Sequence, residues 1–252
     1  MRRALISIDG QSNADGTYDV ASTTGYPGNG YASAYSRVLM MERRANDSTT
    51  DPPLWQTRGH VADGGPIALS PRPGGTAGLF GVELKLFRDL DAAGILAYCN
   101  KTSIRGSGLY NNWAASVDYP RVGPNVCEIH IGDLREAEDA MDCRYVGSIR
   151  LQGEADANNA GGAAAWAANE EARVARVRQL WPDSWYILVM VHSGSGGSFN
   201  ATVRAQQQQL VARIGRARII DASDLAIIGA HYTADSTIEL GRRLALEVQA
   251  IW

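Results

Sequence analysis

Cysteine is scarce in this chain, and its few residues are not arranged as metal ligands or as an obvious disulfide framework. The 252 residues include three cysteines, Cys99, Cys127 and Cys143, and no CxxC motif. An odd number without such spacing argues against a disulfide-rich fold and against a zinc site, although a single disulfide bridge stays open. We interpret the three cysteines as core or surface thiols.

Long apolar runs and an excess of one charge are also missing. No run of 18 apolar residues exists, so the sequence predicts no membrane span. The apolar stretch after Met1-Arg2-Arg3 ends at Asp9 and is, at about five residues, too short for a signal peptide. Location stays undetermined: cytoplasmic, or exported with a leader absent from this sequence. The net charge of −3 predicts neither nucleic acid nor a membrane surface as a partner.

Histidine is rare and never clustered. The four histidines, His60, His130, His192 and His231, stand singly, without the HxH or HExxH spacing of metal sites. The sequence therefore predicts no metal and no other cofactor.

What the chain does contain is a regular alternation of apolar and helical segments. Five short β-rich segments are apolar throughout, as parallel strands buried on both faces are: 4–8, 95–99, 145–151, 186–191 and 217–221. Helical patterns lie between and after them, at 81–93, 132–142, 163–180, 200–214 and 236–251. This alternation predicts a doubly wound α/β fold whose functional residues lie at the carboxyl ends of the strands. Three long segments are expected to be active-site loops: 14–36, 45–80 and 106–120.

Three polar blocks fall where predicted strands end. Gln11-Ser12-Asn13 follows the first strand, Gln152-Gly153-Glu154 follows the third, and His231 precedes the last helix. A serine, an acid and a histidine at one sheet edge are typical of acyl transfer, in which the histidine takes the proton of the attacking serine. Taken alone, Ser12 is more often a helix cap than a nucleophile.

Together these blocks resemble the SGNH (GDSL-like) hydrolase superfamily. The closest similarity is to its carbohydrate esterase branch, with acetyl-xylan esterases and sialate O-acetylesterases, where the nucleophile block has the form Gly10-Gln11-Ser12-Asn13 and a later block the form Gln152-Gly153-Glu154-x-Asp156. The resemblance spans residues 5–245. It implies one domain over 1–252, a three-layer α/β/α sandwich with a five-stranded parallel sheet in flavodoxin-like order.

The resemblance also implies roles for single residues. It makes Ser12 the nucleophile and His231 the base, and it forms the oxyanion hole from the backbone N–H groups of Ser12 and Gly81 and the side chain of Gln152. The remaining residues are expected to contact substrate: Gln11, Asn13, Lys101 and Trp113. Gly194–Gly197 is interpreted as a loop, at most a pocket edge, because it lacks the spacing of a phosphate-binding loop.

The carboxylate behind the histidine is the open question. The superfamily usually places Asp three residues before the catalytic His, where this chain has Ile228. Glu154 is the preferred substitute, and Asp224 or Asp221 are the alternatives, together with a backbone carbonyl or a Ser–His dyad. The expected function is a serine esterase that removes acetyl groups from a carbohydrate. The alternatives are a lipid or aryl esterase of the same superfamily and a carbohydrate-binding relative without turnover.

Overall fold

A computed structural model describes residues 2–16, 18–19, 35–45, 55–70, 79–113 and 125–251. The strands are β1 (Arg3–Gly10), β2 (Tyr18–Asp19), β3 (Tyr35–Ala45), β4 (Trp55–Arg58), β5 (Ile67–Leu69), β6 (Leu79–Phe80), β7 (Ala97–Ile104), β8 (Cys143–Leu151), β9 (Trp185–Val189), β10 (Ala217–Ile220), β11 (Ile227–Ile228) and β12 (His231–Tyr232). The helices are α1 (Ser12–Asp15), α2 (Glu83–Ala92), α3 (Val126–Met141), α4 (Ala160–Arg178), α5 (Asn200–Arg213) and α6 (Ala234–Ile251).

The central sheet has the order β10-β9-β8-β1-β7-β3-β4, with β5 also paired to β3. The five predicted strands are β1, β7, β8, β9 and β10. They are mutually parallel and adjacent in the flavodoxin-like order, which confirms that part of the prediction.

The sheet is nevertheless larger than predicted, because it has eight strands rather than five. β3 extends it in parallel beside β7, and β4 and β5 pair with β3 in antiparallel orientation. The segment 45–80 is therefore not a loop throughout. The sequence did not indicate β3, the strand with which β4 and β5 pair, because polar residues are buried in it. Glu42 of β3 is buried and paired with Arg58 of β4 at 3.1 Å. Buried ion pairs replace the apolar pattern that marks a strand. Of the predicted loops, residues 17, 20–34, 46–54, 71–78 and 114–120 lie outside the described residues.

All five predicted helices are present, with shifted ends. The largest shift is in α3, which begins at Val126 rather than at residue 132. Asn125 caps it by accepting the backbone N–H of Cys127 at 2.9 Å. None of the helices among the described residues is long and apolar enough to cross a membrane.

The helices cover both faces of the sheet. Ile6 and Ile8 of β1 pack in a core with α2 and α6, whereas Leu5 packs with α3 on the opposite face. This alternation follows from the two-residue period of a strand. Cys99, Cys127 and Cys143 are free and buried, so the possible disulfide bridge is not formed.

The carboxyl edge of β1 is shaped by a glycine. Gly10 has φ +145°, and a Cβ there would lie 2.0 Å from the carbonyl oxygen of Leu151 at the end of β8. Only glycine permits this approach of the two strand ends. It brings the segment after β1 against the segment after β8, where the candidate site lies.

Candidate active site

Ser12 and His231 meet at the carboxyl edge of the sheet. Ser12 is the first residue of α1, and the structure gives the N-cap position to Gln11 rather than to Ser12. The Nε2 atom of His231 lies 2.8 Å from the Ser12 hydroxyl. This is hydrogen-bond distance for a nucleophile and its base, although the two residues are far apart in sequence.

One side of α1 is anchored by three basic or polar side chains of β7 and the turn after it. Lys101 donates to the backbone oxygen of Asp15 at 2.9 Å, Ser103 donates to the Asp15 carboxylate at 3.0 Å, and Arg105 binds the other oxygen of that carboxylate. Residues 101, 103 and 105 alternate along one face of the strand. The nucleophile turn is therefore held by its last residue, Asp15.

The other side of the site is a hairpin that carries His231. β11 and β12 pair in antiparallel register, with Ile228 opposite His231, and Gly229 in the turn has φ +64°. Burial and the nearby Arg105 guanidinium lower the pKa of His231 from its ordinary value. Both effects favour the neutral imidazole, which is the form that accepts a proton from Ser12.

Glu154 contacts the residues on both sides of Ser12 rather than His231. Gln11 Nε2 and Asn13 Nδ2 both donate to its carboxylate, the latter at 2.6 Å. Asn13 also donates to the Ala230 carbonyl at 3.0 Å and accepts the backbone N–H of Tyr232 at 3.3 Å. The two amides that were expected to contact substrate thus bind Glu154. Through Asn13, the carboxylate is linked to the backbone on each side of His231.

The alternative carboxylates are engaged elsewhere. Asp224 forms a two-pronged ion pair with Arg243, and Asp221 pairs with Arg204 at 2.7 Å. Hydrogen bonding to Arg243 lowers the pKa of Asp224 to about 2. Within the described part of the chain, no carboxylate is hydrogen-bonded to His231, so the expected triad acid has no counterpart there.

Two expected oxyanion donors have other partners. The Gly81 N–H donates to the Glu83 carboxylate at 2.9 Å. Gln152 Nε2 donates to the Ser107 carbonyl and to Asp156, both at 3.0 Å. Neither residue lines the pocket around Ser12. In the structure, both donors hold neighbouring segments of the chain.

Lys101 and Trp113, which were expected to contact substrate, are fully buried. Lys101 forms an ion pair with Glu83 at 2.9 Å, in addition to its bond to Asp15. The Trp113 indole N–H donates to Ser107 at 2.9 Å, and the Arg150 guanidinium stacks 4.1 Å from its ring centre. Both side chains therefore lie in the interior next to the site and do not line its pocket.

The site opens into a pocket of about 730 Å³. Its wall includes Ser12, His231, Arg105 and Glu154, and the remaining lining residues are small or polar: Gln11, Gly106, Ala155, Asn158, Ser195, Gly196, Gly197, Gly229 and Ala230. Gly194–Gly197 is a loop, as interpreted from the sequence, and three of its residues, 195–197, line the edge of the pocket.

Sequence reasoning missed two residues that shape the site. Arg105 was not among the expected site residues, yet it lines the pocket beside His231. His192 was noted only as one of four unclustered histidines. Its Nε2 lies 2.9 Å from the Leu225 carbonyl and its Nδ1 accepts the Gly194 N–H, so it joins the loop after β9 to the loop before β11. A position directly after a strand was the available signal for both.

One group of described residues could hold a metal ion. His60, Asp133 and Glu136 have potential ligand atoms within 4.8 Å of one another. Asp133 is already paired with Arg43 at 2.8 Å, and Glu136 with His60 at 2.9 Å. None of the three lines the Ser12 pocket, so the chemistry of Ser12 does not involve them.

The chain resembles known proteins over nearly its whole length. The model of a family described as carbohydrate esterase, sialic acid-specific acetylesterase, matches residues 3–250. No curated protein matches the sequence.

Solved structures share the fold at low sequence identity. A protein from Arabidopsis thaliana has a TM-score of 0.70 at 16% identity, with 99% of each chain covered. A carbohydrate acetylesterase from Xanthomonas citri has a TM-score of 0.68 at 19% identity, covering 98% of this chain and 56% of that one. NanS has a TM-score of 0.70 at 12% identity, with 100% of this chain and 98% of that one covered.

Proposed function

Because the chain belongs to the carbohydrate esterase family of sialic acid-specific acetylesterases, its activity is the hydrolysis of acetyl esters on a carbohydrate, and we propose that Ser12 performs it through an acyl-enzyme. The observation that carries this mechanism is the 2.8 Å contact between the Ser12 hydroxyl and His231 Nε2. In this proposal Ser12 attacks the ester carbonyl while His231 takes its proton. His231 then returns the proton to the departing sugar hydroxyl.

Deacylation reverses these roles. Water enters after the sugar has left, and His231 removes a proton from it as it attacks the acyl-enzyme. The bond between the acyl carbon and Ser12 Oγ then breaks, His231 returns its proton to Oγ, and acetic acid leaves and ionises to acetate. The oxyanion of each tetrahedral intermediate requires N–H donors. We assign them to the backbone of Ser12 and of Gly106, which lines the same pocket and whose N–H has no protein acceptor among the described residues.

The proposed machinery is a Ser12–His231 dyad without a carboxylate on the imidazole. Glu154 is assigned a positioning role, because its contacts reach His231 only through Asn13 and the backbone at Ala230 and Tyr232. Serine hydrolases that lack a triad member retain catalysis of about 10³–10⁴-fold over the uncatalysed reaction, so a dyad can still support hydrolysis of an acetyl ester.

The pocket favours a polar substrate with a short acyl group. Among its described lining residues, no apolar side chain is larger than the alanines at 155 and 230. A lipid esterase needs an apolar tunnel for its acyl chain, and these residues do not provide one. The contact between Ser12 and His231 likewise favours turnover over carbohydrate binding alone.

Replacement of the nucleophile tests the mechanism. We expect Ser12→Ala to lower kcat for p-nitrophenyl acetate and for an acetylated sugar by roughly a thousandfold or more. Ser36→Ala, an exposed serine on β3, is the matched control and retains full activity. Hydrolysis that persists in Ser12→Ala at the wild-type rate would show that another residue is the nucleophile.

A further inference from the structure

A second groove continues from the Ser12 pocket across the loop that follows β9. Its volume is about 640 Å³, and it shares Ser195, Gly196 and Gly197 with the wall of the pocket. The shared wall has almost no side chains, and the space around a Cβ at Gly196 is empty within 4 Å. A ligand that fills the pocket can therefore extend over this wall into the groove.

The floor of the groove is one face of α5. Ala201, Arg204, Ala205 and Gln208 line it, and these positions follow the i, i+3, i+4, i+7 spacing that places residues on one side of a helix. The opposite side of the helix holds it to the core through buried residues such as Val203 and Leu210. The groove is thus built on a helix rather than on a mobile loop.

The charges in the groove favour a neutral ligand. The one cation among its described lining residues, Arg204, is paired with Asp221 at 2.7 Å and also donates to Ser223 at 3.1 Å. The other polar lining side chains are hydroxyls and amides, namely Ser193, Ser195, Ser198, Asn200 and Gln208. The groove offers a phosphate or carboxylate no unpaired guanidinium among its described residues, whereas exposed hydroxyls and amides such as those of Ser198 and Gln208 can both donate to and accept from sugar hydroxyls.

The wall between pocket and groove is held rigidly. Asn200 Nδ2 donates to the His192 carbonyl at 2.9 Å and to the Ser195 carbonyl and hydroxyl, each at 2.7 Å. Asn200 and Ser195 are both buried. A wall fixed in this way keeps its shape without a ligand, which reduces the entropy lost on binding.

We propose that this groove binds the sugar residues next to the acetylated one, so that the substrate is an oligosaccharide or polysaccharide rather than a free monosaccharide. The inference rests on the proposed function, since it assumes that the acetylated sugar occupies the Ser12 pocket. It commits the groove to neutral, hydroxyl-rich residues of the same chain.

The test compares acetylated xylose with acetylated xylotetraose in wild type and two tryptophan variants. Ala205→Trp fills the groove from its floor, and Gln209→Trp is the matched control, because Gln209 is an exposed residue of α5 that does not line the groove. We expect the wild type to prefer the tetrasaccharide in kcat/KM. Ala205→Trp should lower the ratio of the two kcat/KM values at least tenfold, and Gln209→Trp should leave it unchanged.

Two further measurements separate the groove from the esterase mechanism. If Ala205→Trp does not fold, Ala201→Trp on the same helical face takes its place and should cause the same loss. Calorimetry with acetylated xylotetraose on Ser12→Ala, with and without Ala205→Trp, measures binding without turnover and should show at least tenfold weaker binding in the double variant. An unchanged kcat/KM ratio together with unchanged affinity would overturn the groove. A wild type that hydrolyses neither p-nitrophenyl acetate nor the two acetylated sugars would instead refute the proposed function, while the calorimetric result would still decide the groove.

Discussion

His231 can act as a base only while its imidazole is neutral, and Arg105 is the charged neighbour that favours this form. The guanidinium lines the same pocket as the imidazole and, after burial, is the second cause that lowers the pKa of His231. A cation near an imidazole disfavours the imidazolium. Arg105 therefore extends activity toward lower pH, in addition to holding Asp15.

Removing the charge of Arg105 should move the acid limb of the pH–rate profile. In Arg105→Gln, the pKa of His231 rises, so a larger share of the imidazole is protonated at mildly acidic pH. We expect the acid limb of kcat/KM for p-nitrophenyl acetate to shift to higher pH, whereas Arg105→Lys, which keeps the charge, shifts it much less. Equal shifts in both variants would mean that the bond to Asp15, rather than the charge, matters.

At the scale of elements, the site depends on the fit between α1 and the β11–β12 hairpin. Asn13 of α1 joins them, because its amide contacts Glu154, the Ala230 carbonyl and the Tyr232 N–H. A loss of this link lets the hairpin shift relative to Ser12. Displacements of about 1 Å between reacting groups cost roughly a hundredfold in rate.

Two substitutions distinguish this linking role from a triad role for Glu154. Glu154→Gln retains an oxygen acceptor for Asn13, so we expect kcat to fall less than about tenfold, whereas loss of a triad acid costs roughly 10⁴-fold. Asn13→Ala should lower kcat about a hundredfold with little change in KM. Steady-state kinetics of both variants decide the matter, with Glu171→Gln as control, because Glu171 is a partly exposed residue of α4 that pairs with Arg213 and does not line the pocket. A larger loss in Glu154→Gln than in Asn13→Ala would restore Glu154 as the triad acid.

The sequence was informative where apolar patterns and ordered motifs coincide with strand ends. The five central strands, the five long helices and the placement of Ser12 and His231 at one edge follow from such patterns, whereas the order of the strands was implied by the family resemblance. It failed where polar residues are buried. β3 carries the ion-paired Glu42, and Lys101 lies within a strand, so neither has the apolar alternation or the exposed loop that the patterns assume. Hydrogen-bond partners such as those of Gly81 and Gln152 depend on three-dimensional contacts that spacing does not encode.

At the scale of the whole molecule, a buried ionic network joins the layers beneath the site. Asp9 of β1 contacts His130 of α3 at 3.1 Å, Arg150 of β8 at 3.2 Å and Arg173 of α4 at 3.3 Å. All four side chains are almost completely buried. Although burial opposes ionisation, the two arginines keep the pKa of Asp9 below its ordinary value, and burial lowers that of His130 to about 4.

Asp9 should therefore be far more important for stability than an exposed acid. Asp9→Asn leaves the buried guanidinium groups of Arg150 and Arg173 with Glu170 as their one remaining shared carboxylate among the described residues, and breaking a buried pair in this way costs about 3–5 kcal/mol. Asp183→Asn, which removes an exposed pair with Arg216, should cost at most about 1 kcal/mol. Urea unfolding at neutral pH measures both free energies. Similar values for the two variants would mean that the arginines find other partners, and that the network does not bind the sheet to α3 and α4.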